Sequence, residues 1–172
     1  MITLDTPAAD PADLIKLPVQ APKPVETSPL VERLASQHGA TWLDAQSIQP
    51  WAALGGDRVV LFAGDPVRFP EGQDVAVVLP ELQRSFPGRF AIGIVPRELE
   101  EAVARRYGVQ RWPSLLFLRD GGYVTLLAGM HDWDDYVREV GRALALPVTR
   151  APTIGIPVVS TSSSASSDSS CH

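Results

Sequence analysis

Two short apolar runs separated by a glycine-containing turn constrain the fold of this chain more than any other feature. The runs cover residues 114–118 and 123–128, and Asp-Gly-Gly occupies residues 120–122 between them. Glycine adopts the positive φ angles that a tight turn requires, and Asp-Gly between apolar runs is a strong signal for a β-hairpin. Pro113 lies just before the first run, where its missing N–H does least harm to strand pairing. The stretch predicts two antiparallel strands preceded by a proline turn.

The residues upstream of this hairpin alternate between strand-like and helix-like patterns. Apolar runs predict strands at residues 41–43, 58–63 and 90–95. Apolar residues at helical spacing predict helices that begin near residues 29, 48, 74, 96 and 132. Parallel strands joined by helical crossovers and closed by an antiparallel hairpin give a mixed sheet covered on both faces. The predicted fold class is therefore α/β.

Local patterns also predict the environment of several helical residues. Asp74 precedes an apolar-periodic run and is expected to cap the third helix. Glu98, Glu100 and Glu101 lie in the first turn of the fourth helix, where acids suit the helix dipole, and we expect them to form a solvated face. Trp133 begins the apolar spacing of the last helix and is expected to face the core.

Composition changes sharply at both ends of the chain. Residues 1–27 contain five prolines, and residues 160–170 are nearly all serine. Such segments bury too little apolar surface to offset the entropy lost on ordering. The 172 residues, 45% of them hydrophobic, suffice for one core. We predict a flexible N-terminal segment at 1–27, one domain at 28–146 and a disordered tail at 147–172.

Charge and hydropathy restrict the classes of partner. The net charge of −5 argues against nucleic acid and anionic membranes as ligands. The sequence shows neither an apolar stretch long enough to cross a bilayer nor a basic start followed by an apolar run. We expect a cytoplasmic protein that binds no nucleic acid and does not insert into a membrane.

The cysteine and histidine content argues against redox and metal chemistry. Cys171 is the single cysteine, so no intrachain disulfide and no Cys-x-x-Cys couple can form. A thiol in a low-complexity tail also lacks the cationic surroundings that lower a thiol pKa. The three histidines are far apart, and His38 is expected to end a helix. We predict no catalytic residue, no metal site and no cofactor.

The hairpin and the turn before it, residues 107–129, resemble the C-terminal half of thioredoxin. In that family the proline is cis, and the residue before it offers its backbone to a bound polypeptide. Trp112 holds that place here. The resemblance implies a thioredoxin-like fold and a cis Trp112–Pro113 bond.

The same alignment places Val-Arg-Phe-Pro, residues 67–70, at the position of the family's redox dithiol. Leu61 falls where the family keeps a buried acid that helps its thiol titrate. Both the sulfurs and the proton relay are therefore absent, and the resemblance implies a protein that is not an enzyme.

Five short sequence motifs, which follow one another in the order expected, point to one family within the thioredoxin-like proteins. They include Gly-Asp-Pro-Val-Arg-Phe-Pro-Glu and Arg-Tyr-Gly-Val-Gln-Arg-Trp-Pro. The motifs cover residues 64–71, 74–82, 86–90, 106–113 and 132–133. Together they resemble hydrogenase expression/formation proteins of the HupG/HyaE type, which are thioredoxin-like proteins that lack the redox cysteines and serve uptake [NiFe]-hydrogenases. The resemblance extends over about residues 28–146.

This resemblance implies a chaperone that holds the hydrogenase small-subunit precursor through its twin-arginine signal peptide, with a second maturation chaperone as a further partner. A polypeptide in the groove beside the cis-proline could pair with the backbone of Trp112 by strand addition. Acids at the groove could bond the two arginines of the signal. The candidate client-binding residues are Asp65, Arg68, Phe69, Glu71, Asp74, Arg111, Trp112 and Pro113.

Other functional classes stay open at this point. One is an oxidoreductase that works through an unusual thiol, for which Cys171 is the available residue. Another is a structural subunit of a hydrogenase complex or a general thioredoxin-like interaction module. Trp112 and Pro113 also have a purely structural interpretation, because thioredoxin-like folds need this turn whatever they do.

Overall fold

A computed structural model describes residues 27–152 of the chain. Residues 1–26 of the predicted Pro-rich segment 1–27 lie outside the described residues, and so do residues 153–172 of the predicted tail 147–172, which include Cys171.

The centre of the domain is a five-stranded mixed sheet. Its strands lie in the order β1-β3-β2-β4-β5, with β1 and β2 parallel to β3, and with β4 antiparallel to both β2 and β5. The hairpin predicted from the Asp-Gly turn is the pair β4–β5. The strands are β1 (Thr41–Trp42), β2 (Asp57–Phe62), β3 (Phe90–Ile94), β4 (Ser114–Arg119) and β5 (Gly122–Ala128).

Helices cover both faces of this sheet, which confirms the predicted α/β architecture. Helices α1, α3 and α5 pack on one face, and α2 and α4 pack on the other. None of the helices in residues 27–152 has the length and apolar character needed to span a membrane. The helices are α1 (Pro29–His38), α2 (Ile48–Ala52), α3 (Glu71–Ser85), α4 (Glu100–Tyr107) and α5 (Trp133–Ala145), with a 3-10 turn at Arg97–Leu99.

Strand β2 is the centre of both cores because successive side chains of a strand point to opposite faces. Val59 and Leu61 join the core under α1, α3 and α5, whereas Val60 and Phe62 join the core under α2 and α4. All four side chains are fully buried. The loop that follows β2 is therefore held on a rigid support.

Three sequence-based expectations for the helices are wrong. Helix α3 begins at Glu71, so Asp74 lies inside its first turn and does not cap it, because a turn closed by Gly72 N–H and Phe69 O already starts the helix. Trp133 is exposed, because Tyr136 fills the core at this end of α5 and donates to Gly129 O.

The third correction concerns Glu100, which is buried and does not belong to a solvated face. It shares one side of α4 with Val103, Ala104 and Tyr107, and that side packs against the sheet.

The described part of the predicted tail lies against the domain. Thr149 N donates to Tyr123 O at 2.7 Å and forms a single antiparallel bridge with the edge strand β5. Arg119, in β4, donates from Nη1 to Leu146 O and from Nη2 to Leu144 O. The contact of Thr149 shows that the described start of the predicted tail touches the domain, and the domain bounds 28–146 stay a prediction.

Candidate functional site

The candidate site lies where the loop after β2 meets the turn before β4. Strands β2 and β3 are parallel, and the site is at their carboxyl ends, where ligands bind in open α/β sheets. The Trp112–Pro113 peptide bond in the turn is cis. The rings of Phe69 and Trp112 stack with 6.0 Å between their centroids. Two aromatic side chains from separate segments thus meet at the site.

Gly64 allows these two rings to come together. Its φ of +81° lies in the region that favours glycine. A Cβ at this position would lie 2.8 Å from the Phe69 ring and 2.9 Å from Trp112 Cβ. Any larger residue would therefore separate the rings or move the loop.

Asp65 shapes the loop that carries Phe69. Its Oδ1 accepts hydrogen bonds from Val67 N at 2.9 Å and Arg68 N at 3.0 Å. These bonds, that of Arg68 first, lower the pKa of Asp65 below its usual value, and the charge of Arg97 lowers it further. The carboxylate also lies 3.7 Å from Arg97 Nη2, so an intrachain cation partly offsets its charge.

A groove of about 200 Å³ opens beside the stacked rings. Its walls combine two aromatic faces, three carboxyl groups and two guanidinium groups. The groove is lined by Gly64, Asp65, Arg68, Phe69, Arg97, Glu100, Glu101 and Trp112. Arg68 already places its guanidinium 5.5 Å from the centroid of the Phe69 ring, so a cation can lie over that ring.

The structure brings together only part of the predicted set. Asp65, Arg68, Phe69 and Trp112 line the groove, and the buried Pro113 follows Trp112 directly. The remaining three candidates, Glu71, Asp74 and Arg111, are exposed and do not line it. Their role in client binding stays a prediction.

Sequence reasoning missed Glu100, which lies at the base of this groove. The residue is 1% exposed, and its Oε1 and Oε2 accept from Gly64 N at 3.0 and 3.1 Å. Burial raises the pKa of Glu100 to about 7, against the lowering effect of the Gly64 hydrogen bond. The helical spacing that Glu100 shares with Val103 and Tyr107 is the signal that could have identified it.

Leu61, at the position of the buried acid of thioredoxin, is itself fully buried in β2. The carboxyl group beneath this groove comes from α4 instead. The lining offers no thiol, hydroxyl or imidazole group, and residues 27–152 hold no cluster of His, Cys, Asp and Glu suited to a metal. The groups present are suited to binding a polypeptide by stacking, hydrogen bonds and charge.

Sequence comparison relates the chain to hydrogenase proteins. Residues 30–136 match the family model described as Hydrogenase-1 expression protein HyaE. The chain is 60% identical over 146 residues to the hydrogenase expression/formation protein HoxO of Cupriavidus necator, covering 84% of this chain and 88% of that protein. It is 35% identical over 128 residues to the hydrogenase expression/formation protein HupG of Bradyrhizobium diazoefficiens, covering 72% and 86% of the two chains.

Structure comparison supports the fold. The chain is similar to a single-site mutant of thioredoxin from Halobacterium salinarum NRC-1, with a TM-score of 0.52, 19% sequence identity, and coverage of 63% of this chain and 93% of that one. At this identity the similarity shows the thioredoxin-like fold alone, and the sequence matches above show the family. The chain therefore belongs to the hydrogenase expression/formation protein family, on a thioredoxin-like fold.

Proposed function

We propose that this protein is a non-catalytic cytoplasmic chaperone for the maturation of an uptake [NiFe]-hydrogenase, and that it binds the small-subunit precursor through its twin-arginine signal peptide. The observation that carries the proposal is the groove framed by Phe69 and Trp112, at the place where the thioredoxin fold receives polypeptides. The loop at that place carries Val67-Arg68-Phe69-Pro70 instead of a dithiol. Membership of the hydrogenase expression/formation protein family supports a hydrogenase as the enzyme that this protein helps to mature.

The groove has the groups that an extended, arginine-containing segment requires. Within residues 27–152, the backbone N–H and C=O of Trp112 form no hydrogen bond with another backbone group, which is the pairing that an added strand would supply. The faces of Phe69 and Trp112 can stack on a guanidinium. Glu101, which is exposed at the rim, can accept charge-assisted hydrogen bonds from the same group.

The direct test is titration of the full chain with the signal peptide of a hydrogenase small subunit. A second peptide, with both arginines changed to lysine, is the matched control, because lysine keeps the charge and loses the planar fork that stacks and bonds bidentately. We expect saturable binding that weakens at least about ten-fold with the lysine peptide. Equal binding of both peptides would contradict recognition of the arginines.

The alternative of a structural subunit makes a different prediction about stoichiometry. A chaperone leaves its client when assembly is complete, whereas a subunit stays. Purified mature hydrogenase should therefore lack this chain, and the precursor should carry it. An equimolar amount of the chain in the mature enzyme would favour the subunit.

A Cys171→Ser variant tests the oxidoreductase alternative. The chaperone proposal expects undiminished hydrogen uptake in cells that carry this variant, because it assigns the thiol no chemistry. Loss of hydrogen uptake with normal protein levels would favour thiol chemistry.

A further inference from the structure

A second, smaller cavity lies next to the groove, and Glu100 lines both spaces. This cavity, of about 20 Å³, lies between α1, the start of α3 and the loop after β2, and its lining includes Val31, Ala63, Gln73 and Glu100. Four residues line both spaces: Gly64, Phe69, Arg97 and Glu100. A buried carboxyl group thus forms part of the base of the groove, where no client can reach it freely.

The carboxyl group is placed to control two neighbours that shape the groove. Both of its oxygens accept from Gly64 N, the residue that allows the rings of Phe69 and Trp112 to meet. The indole Nε1 of Trp112 is buried and has no hydrogen-bond partner of normal geometry. That same indole N–H is close enough to the carboxyl group to lower the pKa of Glu100.

Four other charged side chains line the groove. Two of them are the guanidinium groups of Arg68 and Arg97, and a third is Asp65, whose pKa is held below its usual value by hydrogen bonds from Arg68 N and Val67 N. Glu101 is exposed at the rim. Neither of the described histidines lines the groove or the cavity next to it. Burial raises the pKa of Glu100 to about 7, so its charge changes within the neutral range.

We propose that Glu100 is a positioning residue of the client groove: its ionised carboxylate holds the Gly64 N–H and the Trp112 indole in the arrangement that binds a client, and its protonated form weakens that hold. A charged acceptor forms shorter and stronger hydrogen bonds than a neutral one. Ionisation also adds a negative charge beneath a groove that, on the proposed function, receives arginines. Both effects favour client binding at higher pH.

The test observes the Trp112 indole directly, in the full chain and without a client. The four tryptophans give four indole N–H signals in ¹H–¹⁵N spectra, and the Trp112→Phe variant identifies the one that belongs to Trp112. We expect this signal to shift with a midpoint near pH 7 in the wild type. Glu100→Gln should abolish the shift, because the amide does not titrate. Glu101→Gln, which removes the neighbouring exposed acid, should keep it.

An indole signal that stays constant between pH 5.5 and 8.5 would overturn the inference, and this result needs no variant to fold. A shift that persists in Glu100→Gln would overturn it as well, since another group would then be responsible. A residue that only stabilised the fold would not couple its titration to the indole.

Client binding supplies an independent second readout, because the inference rests on the proposed function for its biological meaning. Wild-type affinity for the twin-arginine peptide should be about five-fold tighter at pH 8 than at pH 6, and Glu100→Gln should show no such change. If the indole titrated but the peptide did not bind at any pH, the proposed function would be contradicted, whereas the coupling of Glu100 to Trp112 would stand. If the indole titrated but peptide affinity did not change with pH, the inference that Glu100 controls client binding would be contradicted.

Discussion

The rings of Phe69 and Trp112 stack beside the groove with their planes inclined by 28°. One ring comes from the loop after β2 and the other from the turn before β4, so the contact joins two segments that are distant in sequence. Gly64 lies against both rings and leaves no room for a Cβ. The shape of the groove therefore depends on a small number of contacts, each of which a substitution can test.

Trp112→Ala should reduce affinity for the signal peptide by more than about ten-fold, because aromatic anchors contribute most of the energy of such interfaces. The fold should survive, with a loss of about 1–2 kcal/mol in the free energy of unfolding, since the side chain is only partly buried. Titration calorimetry and urea unfolding measure the two effects. Trp42→Ala, at a partly exposed tryptophan of the outer strand β1, is the control and should bind normally. Equal loss of affinity in both variants would contradict a specific role for Trp112.

Gly64→Ala should weaken client binding, whereas Gly88→Ala should not. Both glycines have positive φ, of +81° and +70°, so each substitution costs about 1 kcal/mol in backbone strain. Only at Gly64 does the new Cβ meet Phe69 and Trp112, because nothing lies within 4 Å of a Cβ at Gly88. Peptide titration and unfolding of the two variants separate strain from the geometry of the groove. Normal binding by Gly64→Ala would show that the ring contact is not needed.

The free energy of unfolding should fall as pH rises from 4.5 towards 7, because the folded chain retains a proton on Glu100 that the unfolded chain releases at the ordinary pKa of 4.5. The fall is on the order of 2–3 kcal/mol from this residue and levels off above the folded pKa. The lowered pKa values of Asp44 and Asp65 act only near and below 3.8 and in the opposite direction. Urea unfolding at several pH values should show the fall in the wild type and not in Glu100→Gln. The same slope in both proteins would contradict the raised pKa.

Two helical glycines should respond to alanine with opposite signs. A Cβ at Gly72 would lie 2.0 Å from Ala63 O, a backbone atom, so Gly72→Ala must move α3 away from β2 at a cost of about 3 kcal/mol. A Cβ at Gly141 meets only ordinary contacts with Phe86 at 3.6 Å. Gly141→Ala should therefore stabilise α5 by about 0.5–1 kcal/mol. Thermal unfolding compares them, and a stable Gly72→Ala would show that α3 is not packed this closely.

Much of the fold could be predicted from local sequence patterns. The hairpin at residues 114–128 followed from its turn chemistry, and the alternation of strands and helices followed from apolar spacing. The predictions were wrong where a residue outside the local pattern determines where a helix starts or which side chain is buried. Asp74 has the residue type of a cap, yet the turn at Phe69 and Gly72 starts the helix earlier. Trp133 has the right spacing for the core, yet Tyr136 fills it.

The candidate site was predicted less completely than the fold. The sequence pointed to the loop after β2 and to Trp112-Pro113, and these do meet. No local pattern showed that Asp65 lines the groove whereas Glu71 and Asp74 do not. The last two lie in α3, outside the groove lining. The pairing of Asp65 with Arg97 also depends on a turn that lies after another strand.

Residue type and spacing along the chain were enough to establish the succession of strands and helices and the absence of a dithiol in the loop after β2. The burial of Glu100 beneath the groove, with Gly64 N–H bonded to it and Trp112 nearby, became visible only in the folded chain. The charge state of a carboxyl group depends on the water and the hydrogen-bond donors that surround it. Those surroundings are assembled from β2, α4 and the turn before β4, which meet only when the chain is folded.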